Sequence, residues 1–210
     1  MALAFYRGIL KMKAEKRQNF AITMENMKIV SSMLKDYGLT IHFENDKAEH
    51  KNFSMNTILK IVTVPKTLNY ASDVEISSIC HEIGHYIDRN KCYRNYKKDS
   101  WKKVIYCEIK AWKLGRKEYI KYFGKDFTED MKNHSIFALL SHIGYQRYRY
   151  INERIGIEAK KLVQEGKAKN IFLAKMSLYY KIPIISDSSW ISCVDNKERL
   201  EKKLIKILEY

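Results

Sequence analysis

The chain has 210 residues, 46% of them hydrophobic and 30% charged, with 8 Gly and 2 Pro. That length fits one domain, or one domain with an appendage, and so little Gly and Pro excludes a collagen-like or Pro/Gly-rich disordered chain and disfavours a turn-rich all-β fold. The net charge of +15 permits association with nucleic acid or an anionic surface, but only nine of the 39 basic residues are Arg, whereas phosphate readers favour the Arg fork; the excess matches the Lys-, Ile-, Asn- and Tyr-rich usage of an AT-rich genome, and nucleic-acid binding is not the favoured reading.

In chain order, the apolar positions Phe20, Met24, Met27, Val30, Met33 and Leu34 recur at helical spacing and predict a helix over 15–37, stopped by Gly38. Thr40 to Glu44 alternates and reads as a short strand, and a charged turn follows over 46–52. The β-branched run Thr57 to Val64, ending at Pro65, reads as a second strand. The two strands are expected to pair as a hairpin with a long connection. Ser72-Asp-Val-Glu75 is a capping-box sequence: the Ser72 hydroxyl can cap the amide at 75 and the Glu75 carboxylate can reach back. It opens a helix over about 73–88 with its apolar stripe at Val74, Ile76, Ile79, Cys80, Ile83, Tyr86 and Ile87. A polar loop over 91–99 leads to a helix over 101–122, stopped by Gly124. Further helical pattern runs from Thr128 towards Tyr150, over 152–165 and over 168–180. A break at 182–190 precedes a charged amphipathic helix at 196–209. One helix, two strands and then helices only, with no βαβ alternation, predict an α+β fold that is predominantly helical.

No apolar run approaches the ~18 residues of a membrane span, so no membrane partner is expected. The first ten residues lack a basic n-region and a small-residue cleavage site and read as mature protein. Cys80, Cys92, Cys107 and Cys193 form no C-x-x-C pair, which predicts free, mostly buried thiols in a reducing cytoplasm.

His81-Glu82-Ile83-Gly84-His85 is an H-E-x-x-H motif. On a helix the two His lie one turn apart on one face, where both imidazoles can meet a single Zn²⁺ at ~2.0–2.1 Å. Glu82 is offset from that face, free to act on a water as general base. The capped helix and the apolar flanks set this occurrence apart from a chance match. A catalytic zinc takes a third protein ligand. Glu108 falls on the apolar stripe of the next helix, between Ile105 and Trp112, where an unpaired carboxylate is costly and a cation removes the cost. Gly115 on the same helix can permit close packing against the motif helix. Glu118, His134 and His142 are the rival ligands. His134, His142, Tyr106 and Tyr145 are candidate hydrogen-bond donors to a developing oxyanion.

His81-Glu-Ile-Gly-His-Tyr-Ile-Asp88, followed by Glu108-Ile-Lys-Ala-Trp-Lys-Leu-Gly115, resembles zinc metallopeptidases of the gluzincin type, and in particular is similar to the small ImmA/IrrE-like and related phage or mobile-element proteins. The resemblance implies His81, His85 and Glu108 as zinc ligands and Glu82 as the water-activating base. It also implies a fold of helix, small sheet, motif helix and ligand-bearing helix, which matches residues 15–123; residues 125–210 have no counterpart in it. The expected organisation is a metallopeptidase-like core over 1–124 with 125–210 a helical region packed on it. The expected activity is zinc-dependent endopeptidase cleavage of a protein or peptide substrate, with the strand at 57–64 pairing with substrate backbone. The alternative is a non-catalytic zinc-binding interaction protein with a basic, nucleic-acid-associating surface.

Overall fold

The computed structural model describes residues 21–44, 53–89, 101–171, 174–175, 178 and 196–210, with only the backbone at 101–102 and 147–152. Expectations at 15–20, 46–52, 91–99 and 182–190 therefore lie outside the described residues, as do Cys92 and Cys193. The fold is α+β and mostly helical, with one three-stranded sheet among the described residues. Helix α1 covers 21–36. It ends where Gly38 takes the left-handed conformation at φ +62° and the Leu39 amide bonds back to the Leu34 carbonyl, a conformation in which a side chain would be strained. Strands β1 (Thr40–Glu44), β2 (Ser54–Asn56) and β3 (Ile61–Pro65) follow, then helices α2 (Asp73–Ile87), α3 (Trp101–Phe123), α4 (Glu129–Gln164) and α5 (Lys197–Leu208). Gly124, at φ +67°, closes α3 as expected.

The sheet corrects the expected hairpin. Strand order is β1-β3-β2, with β1 parallel to β3 and β2 antiparallel to it. Residues 57–60 are turn, not strand: the Asn56 Oδ1 accepts from the amides of both Ile58 and Leu59, and Lys60 is left-handed at φ +58°. Ile58 and Leu59 at this turn are 78% and 64% exposed, so their aliphatic character reports neither pairing nor burial. The antiparallel partner of β3 is the three-residue Ser54–Asn56, too short to show a period. Over 61–63 β3 is held on both sides, so that part of the run 57–64 is not an edge strand among the described residues.

The cap of α2 is also partly re-drawn. Ser72 Oγ accepts from the Glu75 amide at 3.3 Å, but Glu75 Oε2 accepts from the Asn69 amide at 2.7 Å, while the Ser72 amide is taken by the Asn69 carbonyl. The carboxylate thus ties the helix start to the incoming loop. The expected separate helices at 128–150 and 152–165 are one continuous α4 of 36 residues. Cys80 is a free, buried thiol as expected, but Cys107 is disulfide-bonded, correcting the expectation of free thiols throughout.

Two compact units are present, Met1–Asp99 with Tyr106–His134, and Ser100–Ile105 with Ser135–Tyr210. In the first, α2 packs on β2 and β3. Its buried residues include Val30 and Met33 of α1, Val62 and Val64 of β3, Ile76, Ile79 and Ile83 of α2, and Ala111, Trp112 and Tyr119 of α3. The second buries Leu139, Leu140, Ile155 and Ala159 of α4 with Leu204 and Leu208 of α5, and the hydroxyls of Ser135 and Tyr210 lie 2.6 Å apart.

Candidate metal centre

The first unit brings α2 against α3 at two glycines. A Cβ on Gly84 would lie 2.1 Å from the Ala111 carbonyl oxygen, and one on Gly115 would lie 2.5 Å from the Cys80 carbonyl oxygen. Each helix thus meets the other's backbone where a side chain is missing. Gly115 plays the packing role expected of it; Gly84 is the matching half, which the sequence reading did not single out. Ala111 follows Glu108 by one helical turn, and Cys80 precedes His81. The close crossing therefore sets Glu108 against the face that carries His81 and His85.

The three side chains converge. His81 Nε2 lies 3.2 Å and His85 Nε2 3.3 Å from the same Glu108 oxygen, Oε2, and the two Nε2 atoms are 3.0 Å apart. They form the group among the described residues that could hold a metal ion, and all three are buried, Glu108 to 1% exposure. Hydrogen bonding alone does not account for this triangle. Each neutral imidazole carries at most one proton on Nε2, so no more than two of the three edges can be bonded, and N–H···O bonds prefer near-linear geometry over the corners of a triangle. Three donors each ~2.0–2.1 Å from a tetrahedral centre would be about 3.3 Å apart, close to the observed edges. Two imidazoles and a carboxylate are also the donor set of catalytic zinc sites. The residues fit the metal.

Protonation favours the same reading. Burial first, and the neighbouring His85 second, lower the basicity of His81 and keep the imidazole neutral. Burial resists ionisation of Glu108, but hydrogen bonds from His81 and His85 outweigh it and hold the carboxyl well below its usual range. Neutral imidazole and ionised carboxylate are the metal-binding forms.

Glu82 is buried beside the triangle, with Oε1 4.0 Å from His81 Nε2, and lies outside the metal-holding group. Trp112 stacks on the His81 ring at 4.3 Å between centroids and 29° between planes. A ligating His usually donates its second ring N–H to an acceptor, yet His81 Nδ1 is buried without a hydrogen-bond partner among the described residues. The indole face supplies the orientation that a hydrogen bond would. Asp88, at the end of α2, takes Lys110 of α3 at 2.5 Å, a second tie between the two ligand-bearing helices. In the sequence, Trp112 reads as one more stripe residue and Asp88 as a helix end; spacing of three from His85 and four from Glu108 is their signal.

The rival ligands fall elsewhere. Glu118 pairs with Lys121 at 3.4 Å and hydrogen-bonds Tyr37. His134 makes a T-shaped contact with Trp112, ring centroids 5.8 Å apart, and is not part of the metal-capable group. Tyr106 is exposed, and His142 and Tyr145 belong to the other unit. No protein-family model, curated protein or solved structure matches the chain.

Proposed function

We propose that this chain is a zinc-dependent metalloendopeptidase, with His81, His85 and Glu108 as metal ligands and Glu82 as general base. The observation that carries the reading is the buried triangle of Nε2, Nε2 and Oε2 with a second, non-ligating carboxylate at its side. Zinc, when bound, would polarise the scissile carbonyl and acidify an attacking water. Glu82 takes the proton of that water and delivers it to the leaving amine nitrogen, so one carboxylate serves first as base and then as acid. The ligands hold position because Trp112 and the glycine crossing fix α2 against α3. An extended peptide could add at the sheet through β1 or β2, the strands at its edges.

The test compares the purified wild type with Glu82→Gln and His85→Ala. Wild type should hold about one zinc per chain and cleave an unfolded protein such as casein. Glu82→Gln should keep its zinc and melting temperature while cleavage falls by about 10²–10⁴-fold, and His85→Ala should lose most of its metal. Full zinc in His85→Ala would break the ligand assignment; zinc loss in Glu82→Gln would give that residue a structural role. A wild type that binds zinc and cleaves nothing in a broad peptide library would point to the interaction-protein alternative.

A further inference from the structure

Two neighbouring rings at the candidate centre lack the hydrogen bond that would fix them. His81 Nδ1 is buried without a partner among the described residues, and so is Nε1 of Trp112, the ring stacked on it at 4.3 Å. Nε1 is the indole's single polar atom, so packing alone holds the ring that holds His81. A Trp side chain turns about two bonds, the second with a broad torsional preference, and something must close off that freedom. The other ring that meets Trp112 among the described residues is His134, near the start of α4, in a T-shaped contact at 5.8 Å and 81°.

His134 has the anchor that the other two rings lack. Its Nε2 lies 3.1 Å from Ser78 Oγ. This bond forms whichever atom donates, because a neutral imidazole nitrogen and a hydroxyl can each serve as donor or acceptor. Ser78 precedes His81 by three residues and His85 by seven, and so shares their face of α2. The contacts therefore close a circuit: from Ser78 on α2 to His134 on α4, to Trp112 on α3, and back to His81 on α2. All four residues lie in the first compact unit. A ligating His is ordinarily oriented by a hydrogen bond to its second ring nitrogen; here the nearest hydrogen bond in the chain of contacts is two rings away.

Resting on the proposed metal centre, we infer that His134 is a positioning residue for the ligand His81. Tethered to Ser78, His134 holds the Trp112 indole, and the indole holds the His81 ring with Nε2 towards Glu108 Oε2, 3.2 Å away. His134 acts through Trp112 and not on the metal, a role different from the oxyanion donor that its sequence position suggests.

The test is a mutant cycle in the full chain, read by chelator competition for zinc. Ser78→Ala and His134→Phe each cut the tether, the second while keeping an aromatic ring beside Trp112. Each should weaken zinc binding about 3- to 10-fold, the loss of one neutral hydrogen bond, and the two together should cost no more than either alone. In a Trp112→Ala background neither substitution should change zinc affinity further, because the indole through which His134 acts is gone; a merely structural contribution would persist there. In metal-free wild-type protein the His81 ring protons should resonate upfield, within the ring current of the stacked indole, and move towards ordinary values in both variants. Wild-type zinc affinity with unmoved His81 resonances in Ser78→Ala and His134→Phe, or losses that persist undiminished without Trp112, would overturn the proposal. Should His134→Phe not fold, Ser78→Ala decides alone, since it places a better helix former within α2. A wild type that binds no zinc overturns the metal-centre reading itself, a result distinct from zinc binding that the two substitutions leave untouched.

Discussion

Replacing Gly84 by Ala adds one methyl group to the tightest point of the helix crossing. In an open helix interior this change stabilises by up to about 1 kcal/mol, because Ala is the better helix former. Here the new Cβ would sit 2.1 Å from the Ala111 carbonyl oxygen and 2.8 Å from its carbon, and ordinary contact begins at 3.4 Å. The obstacle is backbone, which cannot swing aside as a side chain can, so α2 and α3 must part locally by about 1.3 Å, the difference between 3.4 and 2.1 Å. Overpacking of this kind costs about 1–3 kcal/mol, which exceeds the propensity gain. Set against that gain, the net loss is about 0–2 kcal/mol, and a chain of this size should melt up to about 8 °C lower. The displacement matters more for the proposed metal site: ligand distances tolerate about 0.2 Å, and Glu108, the proposed third ligand, is carried by the helix that moves. Zinc affinity, measured by competition with a chromophoric chelator, should fall by at least the ~10- to 100-fold that disturbed outer partners cause. Gly156 in α4, where nothing lies within 4 Å of an added Cβ, gives the control: Gly156→Ala should raise the melting temperature and leave zinc unchanged. A Gly84→Ala protein that melts at or above wild type with unaltered zinc affinity would refute the close-crossing argument.

Trp112→Ala removes the indole face from His81 and should lower zinc affinity about 10- to 100-fold, read in the same chelator competition, while Trp112→Phe should retain most of it. Asp126 is held down to about 2, chiefly by its hydrogen bond to Arg116. A carboxyl depressed in the fold stabilises it above the ordinary Asp range near ~3.9 and loses that contribution as pH falls towards 2. Asp126→Asn should therefore lower the melting temperature at pH 7 and progressively less below pH 4, by a small amount throughout because the Asp126 side chain is 44% exposed. The +15 net charge should give nucleic-acid binding that largely disappears by ~200 mM salt in a fluorescence-anisotropy titration; sequence-selective binding that persists there would restore the alternative function.

The motif helix was legible because three local signals agree over a short stretch: a cap at Ser72, an apolar stripe and two His one turn apart. Glu108 was legible for a different reason, as a carboxylate at a position the periodicity assigns to the core. What stayed hidden is non-local or lacks a period. Whether β3 meets β1 in parallel or as a hairpin depends on which distant backbone closes the ladder, and Ile58 and Leu59 carry strand composition into a turn whose shape Asn56 sets. The single run of α4 is not legible as one helix because the side-chain pattern weakens near 150 while the backbone continues. The Cys107 disulfide could not be read from cysteine spacing, which does not determine connectivity. Gly84, the Trp112 stack and the Ser78–His134 pair each depend on what arrives from another helix, which one segment's sequence does not state.

On the proposed reading, the glycine crossing also bears on how the centre would take up zinc. Small zinc modules fold around the metal and collapse when it is withdrawn. Here the surfaces that bring Glu108 to His81 and His85 are backbone against backbone at Gly84 and Gly115, together with the Asp88–Lys110 pair, and none of them includes a ligand atom. If the centre binds zinc as proposed, docking of the two helices would not depend on the ion, and such a protein should surrender its zinc to a chelator and recover it from solution without passing through an unfolded state. Its working fraction would then follow the zinc available around it, with metal supply acting as a reversible throttle on a fold that outlasts each exchange.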